Sequence, residues 1–124
     1  MAWTFNSTEA IFIQIADKLR REILFGKYLP DEQIPAVRQL AYEASVNPNT
    51  MQKALSLLEA EGILYTKSTS GRFVTNDVSL IECAKEKVKR DTVKNWLIQA
   101  ETLEISTDEL INYINTIKKE DDNA

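Results

Sequence analysis

The sequence predicts a mainly α protein with a small β-hairpin, a winged helix-turn-helix followed by a two-helix hairpin. Three observations carry that prediction. From Ile34 to Val74 a short amphipathic segment, a turn, an Asn-Pro helix start, a longer amphipathic segment closed by Gly62 and a turn-rich hairpin signal follow one another. After Asn76 the apolar residues recur at helical spacing almost to the end of the chain. With 124 residues, 44% of them apolar and 27% charged, the length suits one domain and an appendage rather than two independent domains.

The first helix is expected from about Glu9 to Phe25, because Ile11, Ile15, Leu19 and Ile23 recur every four residues and Phe12, Ala16 and Leu24 widen the stripe. Ser7 or Thr8 is placed to cap it, and Gly26 to close it in a left-handed conformation. Trp3 and Phe5 precede the cap, placed either to staple onto the first turn or to reach a partner subunit. Lys27 to Pro35 reads as a loop between Pro30 and Pro35, with Asp31 suited to a turn geometry that usually favours glycine.

In the second helix Val37, Leu40 and Ala41 point inward and Arg38, Gln39, Tyr42 and Glu43 outward. Ala44-Ser45-Val46 is the expected turn, with Val46 buried to set the angle between helices. Asn47 is a strong amino-terminal cap, and Pro48 fits the first helical position, where its missing N–H loses nothing. Met51, Ala54, Leu55 and Leu58 form the third helix's apolar stripe, leaving Asn49, Thr50, Gln52, Lys53 and Ser56 on its other faces. Ile63 to Tyr65 and Phe73 to Val74 read as two strands around the turn-rich run Lys67 to Arg72.

A long helix to about Leu103 follows, through Leu80, Ile81, Ala84, Val88, Trp96, Leu97 and Ala100. A last helix, from about Thr107 to Lys118, starts at a capping box, Ser106 to Glu109, and carries Leu110, Ile111, Ile114 and Ile117 on one side. That face needs a cover, and the same hairpin of a second chain supplies one. The expected organisation is residues 9–77 as the winged helix-turn-helix, 78–118 as a two-helix dimerisation region and 119–124 as a polar, frayed tail.

Composition narrows the function. A lone Cys83 allows no internal disulfide, and without a histidine the commonest general base and zinc ligand are missing, so neither enzyme, metal nor cofactor is expected. No eighteen-residue apolar run or signal peptide is present, which gives no membrane span and a cytoplasmic address. The net charge of −4 opposes nucleic-acid binding mildly. Its distribution softens the objection, with eight Lys and Arg against nine Asp and Glu in residues 1 to 78, and seven against ten in the remainder. The dense run Lys85, Lys87, Lys89, Arg90 and Lys94, interleaved with Glu86 and Asp91, reads as a solvated face.

Five segments in order carry a family resemblance: Ile11-Phe12-x-Gln14-Ile15, Ile34 to Ala41, Val46-Asn47-Pro48-Asn49-Thr50, Leu58-Glu59-Ala60-Glu61-Gly62-Ile63 and Gly71-Arg72-Phe73-Val74. Together, over about residues 10 to 76, they resemble the GntR family of bacterial transcription regulators. Fewer than about fifty residues remain after them, too few for the larger effector domains, so the chain resembles the YtrA-like branch, whose appendage is two dimerising helices. The resemblance implies a homodimeric repressor on a pseudo-palindromic operator, of a kind that commonly controls ABC-transporter operons, and it names no small-molecule effector. The chain departs from the family pattern at Ala36, where Ser is usual, at Pro48, where many relatives carry Arg, at Ser70, in place of the first wing glycine, and at Glu104, where a turn glycine is frequent.

The expected DNA-binding residues follow from that placement: Arg38, Asn47, Asn49, Thr50, Gln52, Lys53, Ser70, Gly71 and Arg72. Arg38 reaches the DNA backbone or a guanine edge bidentately. Asn49 and Thr50 bond phosphate or bases together with free helix-terminal N–H groups. Gln52 suits adenine, whose N6 and N7 its amide can pair, and Lys53 suits a phosphate. Gly71 lets the wing backbone approach closely and Arg72 enters a minor groove, against the plainer reading of a turn glycine and a stem arginine. The competing function is a winged-helix module that binds protein, motivated by the acidic charge. A DNA-processing enzyme is a third and weaker class.

Overall fold

The computed structural model describes residues 3 to 123, with elements in the order α1 (Ile11–Leu24), α2 (Val37–Ala44), α3 (Pro48–Ala60), β1 (Leu64–Thr66), β2 (Arg72–Val74), α4 (Val78–Thr102) and α5 (Thr107–Asp122). It divides into two compact units, one ending at Lys85 and the other beginning at Glu86.

In the first unit α1 packs on α3 and α3 on α2. Ile15, Leu19, Met51, Leu55, Leu58, Ile63, Leu64 and Val74 lie fully buried. α1 starts at Ile11, and neither Ser7 nor Thr8 caps it, since Ala10 holds the cap position with no side-chain bond. The Thr8 hydroxyl instead donates to Asn6 Oδ1 at 2.8 Å, and Gln14 clasps the entering chain. Its Oε1 accepts the Asn6 N–H at 3.0 Å, and its Nε2 donates to the Asn6 and Glu9 carbonyls at 3.0 and 2.7 Å. Trp3 packs within the chain, its ring 5.0 Å from Lys18 Nζ. Gly26 has φ +116° and Asp31 φ +65°, as the turn readings require.

The turn after α2 differs in detail from expectation. Ala44 is the buried residue, still helical, while Val46 is half-buried. Ala44 follows Leu40 and Ala41 at helical spacing on the buried face of α2, and Ser45 at φ +58° ends the helix. β1 and β2 pair antiparallel with Leu64 opposite Val74, Tyr65 opposite Phe73 and Thr66 opposite Arg72. Gln33 adds an isolated bridge to Phe73. Gly62 is required twice over, by φ +81° and by Leu80 Cδ1, which would stand 2.8 Å from an added Cβ.

The second unit holds the rest of α4 and all of α5. Asp77 Oδ1 accepts the Leu80 N–H at 3.1 Å and starts α4, whose 25 residues span about 37 Å. Glu104 at φ +58° makes the turn to α5, and Ser106 and Glu109 form the reciprocal capping box. α5 runs to Asp122, so the segment expected to fray after Lys118 is helical. No glycine or proline follows Gly71 to interrupt it. Ala100 is buried at the turn and Ile105 and Leu110 are half-buried, but every side chain from Ile111 to Asn123 is exposed.

Candidate nucleic-acid interface

The nine residues expected from the sequence lie on α2, at the start of α3 and on the wing: Arg38, Asn47, Asn49, Gln52, Lys53 and Ser70 are exposed, while Thr50, Gly71 and Arg72 are half-buried. α3 is pinned by its own first residues. Asn47 Oδ1 accepts the Asn49 N–H at 2.8 Å, Pro48 has no N–H, and the Thr50 and Met51 N–H groups donate to the Asn47 carbonyl at 3.0 and 3.1 Å. The free N–H groups expected at this helix start are therefore already occupied; Asn49 and Thr50 offer their side chains alone. Asn47 spends its oxygen on the cap and keeps its amide nitrogen.

The open helix start is that of α2. Ala36 provides no side-chain cap, and the first intrahelical bond runs from Leu40 to Ala36 at 3.0 Å. The N–H groups of Val37, Arg38 and Gln39 thus face outward at the positive end of the helix dipole. Arg38 is exposed there. One turn on, Tyr42 is 86% exposed, and with Gln39 it extends the polar and aromatic surface beyond the residues picked from the sequence. Its signal was the i, i+4 spacing from Arg38. Gln39 Nε2 donates to Glu43 Oε1 at 3.3 Å.

On α3, Gln52 and Lys53 are exposed on the face opposite the buried Met51, Leu55 and Leu58. Lys53 Nζ lies 6.0 Å from the Phe12 ring. Arg38, Lys53 and Lys67 make no ion pair among the described residues. Arg20, by contrast, is held by Glu61 at 2.6 Å and Asp17 at 2.6 Å. The hydrogen bond to Glu61 is the main reason its guanidinium stays protonated above its ordinary range.

At the wing the arginine and the glycine sit as the plainer reading has them. Arg72 lies in β2 rather than at the tip, and its Nε donates to Glu59 Oε1 of α3, with its side chain only 16% exposed. Thr66 Oγ1 donates to the same oxygen at 3.0 Å. Gly71 has φ +112°, and a Cβ there would stand 2.8 Å from Gln33 Nε2, which donates to the Ser70 carbonyl. Its need for glycine comes from within the fold. At the base of the wing, Tyr65 donates its hydroxyl to Asp31 Oδ1 at 2.8 Å and stacks on Phe73 with ring centroids 5.7 Å apart. The exposed tip is Lys67-Ser68-Thr69-Ser70, and its cation is Lys67, which the sequence reading did not select.

In the basic run of α4, Lys85 pairs with Glu82 at 3.7 Å and Lys87 with Asp91 at 2.9 Å, as on a solvated face. No group of His, Cys, Asp and Glu fit to hold a metal ion occurs among the described residues, and none of their helices is long and apolar enough to cross a membrane.

Comparison with known proteins bears on this surface. A model of the bacterial regulatory proteins of the gntR family matches residues 13–74, which include α2, α3 and the wing. The chain is 30% identical over 112 residues to YhcF of Bacillus subtilis, described as an uncharacterized HTH-type transcriptional regulator, covering 90% of this chain and 93% of that one. It is 30% identical over 114 residues to the HTH-type transcriptional repressor YtrA of the same organism, covering 90% and 87%. A solved GntR family transcriptional regulator from Listeria monocytogenes superposes with a TM-score of 0.81 at 28% identity, covering 90% of this chain and 98% of that one.

Proposed function

The chain belongs to the gntR family of bacterial regulatory proteins and is a transcriptional regulator with a DNA-binding domain, and we propose that it works in the cytoplasm as a homodimeric repressor reading a pseudo-palindromic operator. The recognition helix is α3, set in a major groove with Gln52 toward adenine and Lys53, Asn49 and Thr50 toward phosphates or base edges. The open start of α2 receives a backbone phosphate, and Arg38 beside it takes a second phosphate or a guanine edge. The wing tip lies against the flanking groove. Two copies joined through α4 and α5 present two such helices about 34 to 36 Å apart, one turn of DNA, or a multiple of it. An ABC-transporter operon is the proposed target class.

The observation that carries this reading is the exposure of Arg38 and of Asn49, Gln52 and Lys53 on adjoining helices, with neither Arg38 nor Lys53 in an ion pair among the described residues. The full chain is titrated with the DNA upstream of its own reading frame at about 50 to 200 mM salt. Affinity is expected to fall by about 10³-fold or more across that range if six or more phosphates are neutralised. DNA of the same composition in scrambled order should bind at least about 10³-fold more weakly. A flat salt response removes the reading and favours a protein partner.

A further inference from the structure

The sequence leaves Arg72 either a minor-groove cation or a stem arginine, and its guanidinium turns back to α3. Three ties converge on the β1–β2 hairpin around its five-residue turn, Lys67 to Gly71. Glu59 Oε1, on the last turn of α3, accepts from Arg72 Nε and from Thr66 Oγ1, which stand opposite each other across the hairpin. Gln33 Nε2 holds the Ser70 carbonyl from the other edge, and Gly71 keeps the room that this amide needs. The carboxylate thus grips both strands of the wing from the same helix that carries Gln52 and Lys53. A two-stranded hairpin of three-residue strands is marginal by itself, so its angle to α3 depends on such ties.

We propose that Glu59 is a positioning residue for DNA recognition: through Arg72 and Thr66 it locks the wing in register with the recognition helix, and Lys67 is the cation the wing offers to DNA. This rests on the DNA-reading function above and assigns Arg72 to the interior side of the wing. The ammonium of Lys67, at the head of the turn, makes no ion pair among the described residues. The hydroxyls of Ser68, Thr69 and Ser70 follow it along the exposed tip.

Charge inversion separates this role from direct contact. Glu59→Arg, Arg72→Glu and the double variant are made in the full chain, and binding to the upstream DNA is measured beside thermal unfolding. If charge alone mattered, Glu59→Arg would tighten binding, since it adds positive charge. The lock requires instead that each single variant weaken binding by about 5- to 100-fold and that the double variant, with the pair restored in reverse, recover most of the loss. Hydroxyl-radical footprints of the single variants should lose protection on the flank facing the wing while methylation protection under α3 persists. Lys67→Ala should lower the salt slope by about one ion.

If the inverted single variants do not fold, Arg72→Gln and Thr66→Val serve in their place and are expected to give the same footprint change. No recovery in the folded double variant, or a footprint lost uniformly, overturns the proposal while leaving the DNA-binding function standing. Failure of the unaltered chain to bind with a steep salt response overturns that function and the lock with it.

Discussion

Up to Lys85 the chain closes most of its apolar helix faces into a core, with Leu29, Tyr42 and Val78 left exposed, whereas from Glu86 onward its apolar helix faces are mostly displayed. Ile15, Leu19, Met51, Leu55 and Leu58 lie buried between α1 and α3. Among the described residues of the second unit Ala100 alone is buried, and Trp96, Leu103, Ile111, Tyr113, Ile114 and Ile117 are all more than 40% exposed. Both units have sound local helix signals, so the difference lies in what covers the apolar stripe. The first unit closes its core on itself. The second leaves many large apolar side chains on α4 and α5 exposed, as helices awaiting a partner do, which supports assembly with a second copy.

The contrast can be broken most sharply in the core. Leu58→Ala, at a site with no exposure, is expected to destabilise the first unit by about 2 to 5 kcal/mol in urea unfolding followed by circular dichroism. The counterpart on α5 is Ile114→Asp. It should leave that unfolding free energy unchanged at low protein concentration but raise the dimer dissociation constant by about 30-fold or more in sedimentation, equivalent to about 2 kcal/mol. Equal loss in both measurements for both variants would erase the distinction between the units.

The interface of the first unit supplies a smaller effect. Arg38→Ala is exposed and unpaired among the described residues, so folding should be untouched while operator affinity falls by about 1 to 3 kcal/mol in a gel-shift titration. A smaller gain is expected at the turn of the second unit. Glu104→Gly relieves a left-handed φ of +58° and should stabilise the α4–α5 turn by less than about 1 kcal/mol, read as slower amide exchange at Ile105 and Ala100.

The smallest effect is a pH dependence confined to the first unit. The hydrogen bond Tyr65 donates to Asp31 holds its hydroxyl above the usual tyrosine range. Because the folded value is raised, this contribution is complete below about pH 10 and lost as pH rises through the raised value. Melting curves from pH 8 to 11 should therefore show an alkaline loss in the parent that Tyr65→Phe lacks.

What could be read in advance was mostly local. Asn47-Pro48 starting α3, the Ser106–Glu109 box, Gly26 and Asp31 in left-handed turns, and the apolar stripe of α3 are matters of a few adjacent residues, and each stands where its spacing placed it. Two expectations differ from the structure, for different reasons. Ser7 and Thr8 both suit a cap by residue type, but the Thr8 hydroxyl donates to Asn6 and Gln14 holds the entering chain, a competition among neighbouring polar groups that composition does not rank. The helical stretch after Lys118 was read as frayed from its charge, although nothing in it breaks a helix.

By itself, then, the sequence determined the order and kind of the elements, the inward faces of the first unit and the surplus of apolar surface in the second, because backbone propensity and periodicity act over a few residues. Only the tertiary structure decided which charges remain free. Arg72 meets Glu59 thirteen residues away, Arg20 meets Glu61 forty-one away, and Gln33 reaches Ser70 across thirty-seven. Such partners are selected by the packing of whole elements. That is why Arg72 is bonded to α3 while Arg38, Lys53 and Lys67 make no ion pair among the described residues.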